Sequence, residues 1–287
     1  MKKINVLIIV IATHLLPKAS FSQLTIPPPS PLQVETQQFA TGKIEISYSR
    51  PAVKGRKIFG ELVPYDKIWR TGANAATTIY FSDEVIINNI KITKGKYGLL
   101  TIPGKSFWEV IISKDTTVTN AADYKQENDV VRVKVKPKSL SQSVENFTIN
   151  IDNIKPNSCY LQLIWDKTLV QITINADIDA KIMAQIDEAM KGEKKPYYQA
   201  ANYYYENNKD MAKALEWVNE AVKANPNAYW ILHLKAKIQL RSKDFDGAIA
   251  TAKESHDKAE GAKNSDYMRL NDKLIAEANK LKKSNKK

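Results

Sequence analysis

From Val34 to Ile174 apolar and polar residues alternate with a period of two, and from about Asp177 onward the period becomes helical. The alternation is clearest in GKIEISYS, where Ile44, Ile46 and Tyr48 stand against Lys43, Glu45 and Ser47. Further short runs follow: ATTIYF, EVIIN, IKIT, YGLLTI, FWEVII, VVRVKVK, NFTINI, CYLQLIW and TLVQITI. Asn88-Asn89 reads as a two-residue hairpin turn, because Asn tolerates positive φ. Lys94-Gly95-Lys96 and Pro103-Gly104-Lys105 read as the next two turns, and Asp166-Lys167 as a tight turn between the last two strands. About ten short strands, joined by connections too short for helical crossovers, predict an antiparallel β-sandwich over residues 34–176.

The helical part opens with DIDAKIMAQIDEAMKG, a linking helix expected over residues 177–192. Asp177 is its predicted N-cap, Ile178, Ile182, Ile186 and Met190 form one face, and Gly192 is its stop. Over residues 193–287, Tyr198, Ala201 and Tyr205 fall on one predicted helix, and Ala214, Val218 and Ala221 on the next, which Pro226 ends. Leu232, Ala236, Ala248 and Ala252 recur one 34-residue step on. This pattern resembles tetratricopeptide repeats, with Glu260 standing where the second terminal proline belongs and residues 265–282 as a capping helix. The fold class is thus α+β multidomain, a sandwich followed by helical repeats. Such arrays offer concave faces to peptide segments, and Tyr203, Tyr204, Tyr229 and Trp230 are the candidate anchors. The alternative for Tyr229 and Trp230 is packing at the junction of the two repeats.

Composition changes this picture in three places. Lys2 and Lys3, the apolar run Ile4 to Ala12 and the small-residue site Ser20-Phe21-Ser22 read as a secretory leader (residues 1–22) cut before Gln23. Residues 23–33 form a Pro-rich extended lead-in, and the expected location is periplasmic or secreted, with no transmembrane anchor. The net charge of +12 includes three leader lysines, which leaves about 12 − 3 = +9. The dispersed lysines and the absence of aromatics interleaved on a basic strand argue against nucleic acid. The lone Cys159 reads as a small buried hydrophobe.

Candidate chemistry concentrates in the connection from Tyr48 to Asn74, YSRPAVKGRKIFGELVPYDKIWRTGAN, which is long for a compact domain. Arg50, Arg56 and Arg70 supply forked donors for anionic groups. Tyr48 and Trp69 supply flat apolar faces, and Asn74 adds neutral hydrogen bonding. Together they suggest a ligand wall for an anionic or saccharide ligand. The alternative is a lid over the open end of the sandwich, with Trp69 plugging the core and Arg70 paired to Glu61 or Asp66. After leader removal only His233 and His256 remain, both in the helical part, so nucleophile–histidine chemistry is excluded from the β-domain. No metal-ligand spacing and no phosphate loop occurs, and no cofactor is implied. A carboxylate pair drawn from Glu61, Asp66, Asp83 and Glu109 is the one catalytic arrangement left open.

The runs SRPAVKGRKIFGELVPYDKIWRTGANAATTIYFS and INNIKITKGKYGLLTIPGKSFWEVIIS resemble the exported bacterial family called domain of unknown function 2911, over roughly residues 33–175. The resemblance implies an exported β-rich domain, often followed by helical repeats, with no established activity and no functional residue to transfer. Members usually carry an acidic residue where Ala75 stands here. The expectation is a non-enzymatic binding module that takes a protein or peptide segment through its repeats. A carboxylate-dependent hydrolase of envelope carbohydrate or peptidoglycan is the alternative.

Overall fold

The structure, a computed structural model, describes residues 26–285; the expected leader and its cleavage site lie outside the described residues. Between Asp177 and Ile178 the chain divides into two compact units.

Among the described residues the β unit has ten strands: β1 (Leu32–Phe39), β2 (Gly42–Ser49), β3 (Thr78–Phe81), β4 (Val85–Ile87), β5 (Ile90–Ile92), β6 (Gly95–Ile102), β7 (Trp108–Ser113), β8 (Asp129–Val135), β9 (Lys138–Asp152) and β10 (Ser158–Asn175). One sheet runs β1-β2-β3-β6-β7-β8 and the other β5-β4-β10-β9, and every pairing is antiparallel. The period of two decides which side chains fill the space between the sheets: Ile44, Ile46 and Tyr48 are buried, while Lys43, Glu45 and Ser47 are not. The Tyr48 hydroxyl ties β2 to β9, accepting from Ile149 N at 2.9 Å and donating to Ile149 O at 3.2 Å. Asn88 and Asn89 both take positive φ (51° and 62°) in the β4–β5 turn, where Ile87 pairs with Ile90.

Asp166-Lys167 is not a turn. CYLQLIW and TLVQITI are one strand, the 18-residue β10, and its register against β9 shifts on either side of Asp166. Asp166 does take positive φ (49°), as its residue type suggests. With the 15-residue β9 alongside both halves, the extra residue is absorbed as a bulge rather than a reversal. Ser143 Oγ on β9 donates to the Asp166 carboxylate at 2.7 Å.

The helical unit comprises α1 (Asp179–Ala189), α2 (Tyr197–Glu206), α3 (Met211–Ala224), α4 (Tyr229–Arg241), α5 (Phe245–Gly261) and α6 (Ser265–Ser284). Asp177 does not cap α1. The helix starts two residues later, and no side chain caps it. The carboxylate that serves this end is Asp179 in the first turn, which takes Lys209 Nζ at 2.7 Å and the Tyr203 hydroxyl at 2.9 Å. Ala201, Ala214, Val218, Ala221, Leu232, Ala236, Ala248 and Ala252 are all buried, whereas Tyr198 and Tyr205 of the same pattern are half-buried and pack against the core from outside it. α3 and α5 begin 34 residues apart, and the aspartate before each caps it. Asp210 accepts from Ala212 N and Lys213 N, and Asp244 from Gly247 N. Pro226 follows the end of α3 closely, since it cannot continue a helix; with Glu260 at the matching place, α5 runs on to Gly261. Among the described residues no helix is long and apolar enough to cross a membrane.

Candidate functional site

The long connection between β2 and β3 occupies the place it does because β6 needs a neighbour. β3 has four residues and pairs with β6 only from Gly95 to Gly98, leaving Leu99 to Ile102 with an open edge whose backbone groups need partners. The connection supplies them. Leu99 N donates to Thr77 O, Trp69 and Thr101 exchange two backbone bonds at 2.7 and 3.0 Å, and Asp66 N donates to Pro103 O. At its other end it pairs with the second sheet, where Val53 N donates to Glu145 O and Phe147 N to Pro51 O. The segment is therefore stitched to both sheets.

Its side chains follow from that anchorage. Trp69, half-buried, stacks on Trp165 of β10 (5.8 Å between centroids) and meets Phe147 of β9 and Trp108 of β7 edge-on, with Phe59 closing the cluster. Arg50 commits its fork to Phe147 O, Gln33 Oε1 and Thr148 Oγ1 at 2.7–3.0 Å. Arg56 folds back on Val53 O and Ala52 O. Arg70 donates to Thr119 O rather than pairing with Glu61 or Asp66; Glu61 is instead bound by Lys57, four residues before it. Asn74, at φ 57°, donates to Ser30 O. The structure thus engages the forks of Arg50 and Arg56 with protein acceptors, while Arg70 donates through Nη1 alone and its buried Nε has no hydrogen-bond partner among the described residues. Trp69 and Tyr48 lie on the interior side of the segment. Thr71 is fully buried at φ 57°, unusual for a β-branched residue. It is held there by Thr77 Oγ1, which donates to its carbonyl at 2.8 Å, and by the Thr101 hydroxyl at 3.1 Å.

Of the four acids, Asp66 and Glu109 line one hollow of about 360 Å³, with Glu109 engaged by Arg132. Thr41 Oγ1 donates to Asp83. Cys159 is buried, and burial pushes its thiol up to about 12.

In the helical unit the predicted tyrosines are dispersed. Tyr204 lies in the core against Trp217, and the Tyr203 hydroxyl is on Asp179. Tyr229 accepts from Asn264 Nδ2 through its hydroxyl and sits between Trp230 and Tyr267. Trp230 is 42% exposed. A groove of about 390 Å³ opens elsewhere, between Tyr205 of α2, His233, Lys237 and Arg241 of α4, and Lys273 and Leu281 of α6. Sequence reasoning missed this set. His233, Lys237 and Arg241 recur every four residues and so form one stripe, but His233 between two leucines reads as packing. Arg241 and Lys237 both lie over the Tyr205 ring, at 3.7 and 4.5 Å from its centroid.

His233 forms the groove's inner boundary. Its Nδ1 is 2.7 Å from Asn271 Oδ1, and the Asn271 amide nitrogen donates to Ser255 Oγ and Tyr267 O. This fixes the amide orientation and puts the imidazole proton on Nδ1. Burial, followed by the nearby Lys237 charge, holds the imidazole below its ordinary value against the opposing Asn271 bond. The folded state therefore takes up this proton at lower pH than the unfolded chain. Stability is complete above the unfolded value of about 6.5 and declines as pH falls through it, levelling off below the folded value. Denaturation followed by the helical signal should show a lower midpoint at about pH 5 than at about pH 7.5, and His233→Gln should flatten part of that slope. An unchanged slope in the variant would assign the dependence to other groups.

On α5, His256, Asp257 and Glu260 group one imidazole and two carboxylates within 4.8 Å of each other. The carboxylates are exposed and nothing fixes a coordination geometry around them.

A family model described as "Protein of unknown function (DUF2911)" matches residues 30–174, about half of the chain. No curated protein and no solved structure matches it.

Proposed function

The chain belongs to the DUF2911 family of proteins of unknown function, and on that footing we propose that it is a non-enzymatic binding protein of the cell envelope. Its tetratricopeptide-like helical unit holds an acidic, extended peptide segment of a partner protein. The observation that carries this reading is the groove walled by α2, α4 and α6. Its apolar contacts come from Leu270, Leu274 and Leu281, of which Leu270 and Leu281 are exposed. Its rim carries Lys237, Arg241 and Lys273 with Glu277. Glu206 meets Lys237 at 3.2 Å, and Arg241 donates to Tyr205 O and Asn208 Oδ1, which leaves Lys273 as the rim cation without a hydrogen bond or ion pair among the described residues. Apolar anchoring fixes such a peptide, and the charge selects its sign. The β unit would act as a scaffold and second binding surface. Export follows from the leader, so the mature N-terminus should be Gln23, read by N-terminal sequencing.

The hydrolase alternative needs two acids set across one bond. Glu109 is engaged by Arg132 and Glu61 by Lys57, which weighs against it.

The test is fluorescence anisotropy with a labelled alternating Leu-Glu peptide, and an alternating Leu-Lys peptide as control. The acidic peptide should bind the full chain, and a Lys273→Glu, Leu281→Glu variant should weaken it about tenfold or more. Equal binding of the two peptides, or an unchanged affinity in the variant, would remove the groove from consideration.

A further inference from the structure

At one end of the β unit four separate segments converge on a second hollow, of about 310 Å³, between the long connection, the β6–β7 turn, the β8–β9 turn and the β10 bulge. Its size lies at the low end of small-ligand sites, roughly 300–1,000 Å³. Phe59 and Tyr65 offer partly exposed rings, and beneath Phe59 the buried Trp108 ring stands edge-on at 4.8 Å, so the floor is rigid. Lys105, Lys138 and Lys167 stand around it, each on a different segment and each exposed.

These ammonium groups have no carboxylate partner among the described residues. Lys105 instead lies 5.9 Å from the Tyr65 ring centroid. The bulge explains how Lys167 comes to be here, because the register shift at Asp166 re-aims the residues that follow it. Ser139 and Thr168, paired across β9 and β10, add two hydroxyls to the wall.

Unpaired like charges held at one concavity favour an anion, and lysine meets carboxylate or sulfate as a point charge. Flat rings beside hydroxyl donors suit the C–H face and the hydroxyls of a sugar. We propose that this hollow is a binding site for an acidic oligosaccharide, with a pyranose ring against Tyr65 and Phe59 and its carboxylate or sulfate among Lys105, Lys138 and Lys167. The site lies wholly in the β unit and is independent of the peptide groove, so either can fail without the other.

Isothermal titration of the full chain with a short oligogalacturonate and with a sulfated galactan oligomer that carries no carboxylate tests the site, and the two arms distinguish carboxylate from sulfate. At least one should bind, more weakly as salt rises. Lys138→Glu, Lys167→Glu should weaken binding about tenfold or more. Lys253→Glu, a charge reversal on an exposed helix position, should leave it unchanged. The chain carrying Lys273→Glu and Leu281→Glu, whose changes lie in the peptide groove, should likewise bind the oligosaccharide as the native one does. The methyl-esterified oligogalacturonate, which keeps the rings and loses the charge, should bind at least about tenfold more weakly than the acid. The proposal is overturned if neither acidic oligomer binds, if the double lysine variant binds like the native chain, or if inorganic sulfate alone competes as well as the oligomer.

Discussion

Trp165→Ala should destabilise the β unit by about 3–5 kcal/mol, the range for removing a buried large aromatic. The Trp165 side chain is 2% exposed and touches three rings at once, with centroids of Trp69, Phe147 and Phe59 at 5.7–6.1 Å. Its indole N–H also donates to Glu145 O at 3.3 Å. Because Trp69 and Phe59 belong to the long connection, the cavity would loosen that segment along with the sheets. Denaturant unfolding, with hydrogen exchange to localise the loss to β9, β10 and residues 50–77, reads the effect. A loss under about 1 kcal/mol would mean the cluster is not what joins the connection to the sheets.

Arg50→Met should cost about 2–3 kcal/mol, because hydrogen bonds to a charged donor are worth more than neutral ones and the Phe147 carbonyl loses its side-chain partner. Arg56→Ala should stay within about 0.5 kcal/mol, since its fork only closes an exposed local loop. Comparing the two separates the readings that sequence left open for this segment. A stable Arg50→Met chain with an impaired anion affinity would return Arg50 to a ligand role. A destabilised one identifies it as a tether between β1, β2 and β9.

Much of the architecture was legible because it rests on local rules. The period of two in GKIEISYS assigns its inward residues directly, and the Asn88-Asn89 turn needs only that Asn accept positive φ. The helical period and the recurrence of Ala214 at Ala248 likewise mark core positions without reference to distant residues. What local rules could not resolve was competition among partners. Asp166-Lys167 carries turn chemistry, yet a bulge forms because β9 is long enough to hold both halves of β10, a fact located elsewhere in the chain. At the start of α1 the acid that matters is Asp179 rather than Asp177, because Lys209 and Tyr203 meet it from later in the chain. The arginines of the long connection show the same limit most clearly. Residue type says they bind acceptors, but only the fold says that the acceptors are Phe147 O, Ala52 O and Thr119 O. The lysine hollow was illegible for the same reason, as its members come from positions 105, 138 and 167.

The position of β10 within its sheet also sets an order of assembly. β10 is the last strand of the unit in sequence, yet it lies between β4 and β9, with Ile174 paired to Ile87. The β4–β5 hairpin therefore has no lateral neighbour, and the aromatic cluster lacks Trp165, until the chain has emerged as far as β10. Contacts this distant in sequence form slowly, because loop closure precedes any gain from them. The second sheet, and with it the enclosure of the aromatic cluster, is therefore the last part of the unit to close, while the six-stranded sheet can pair without it.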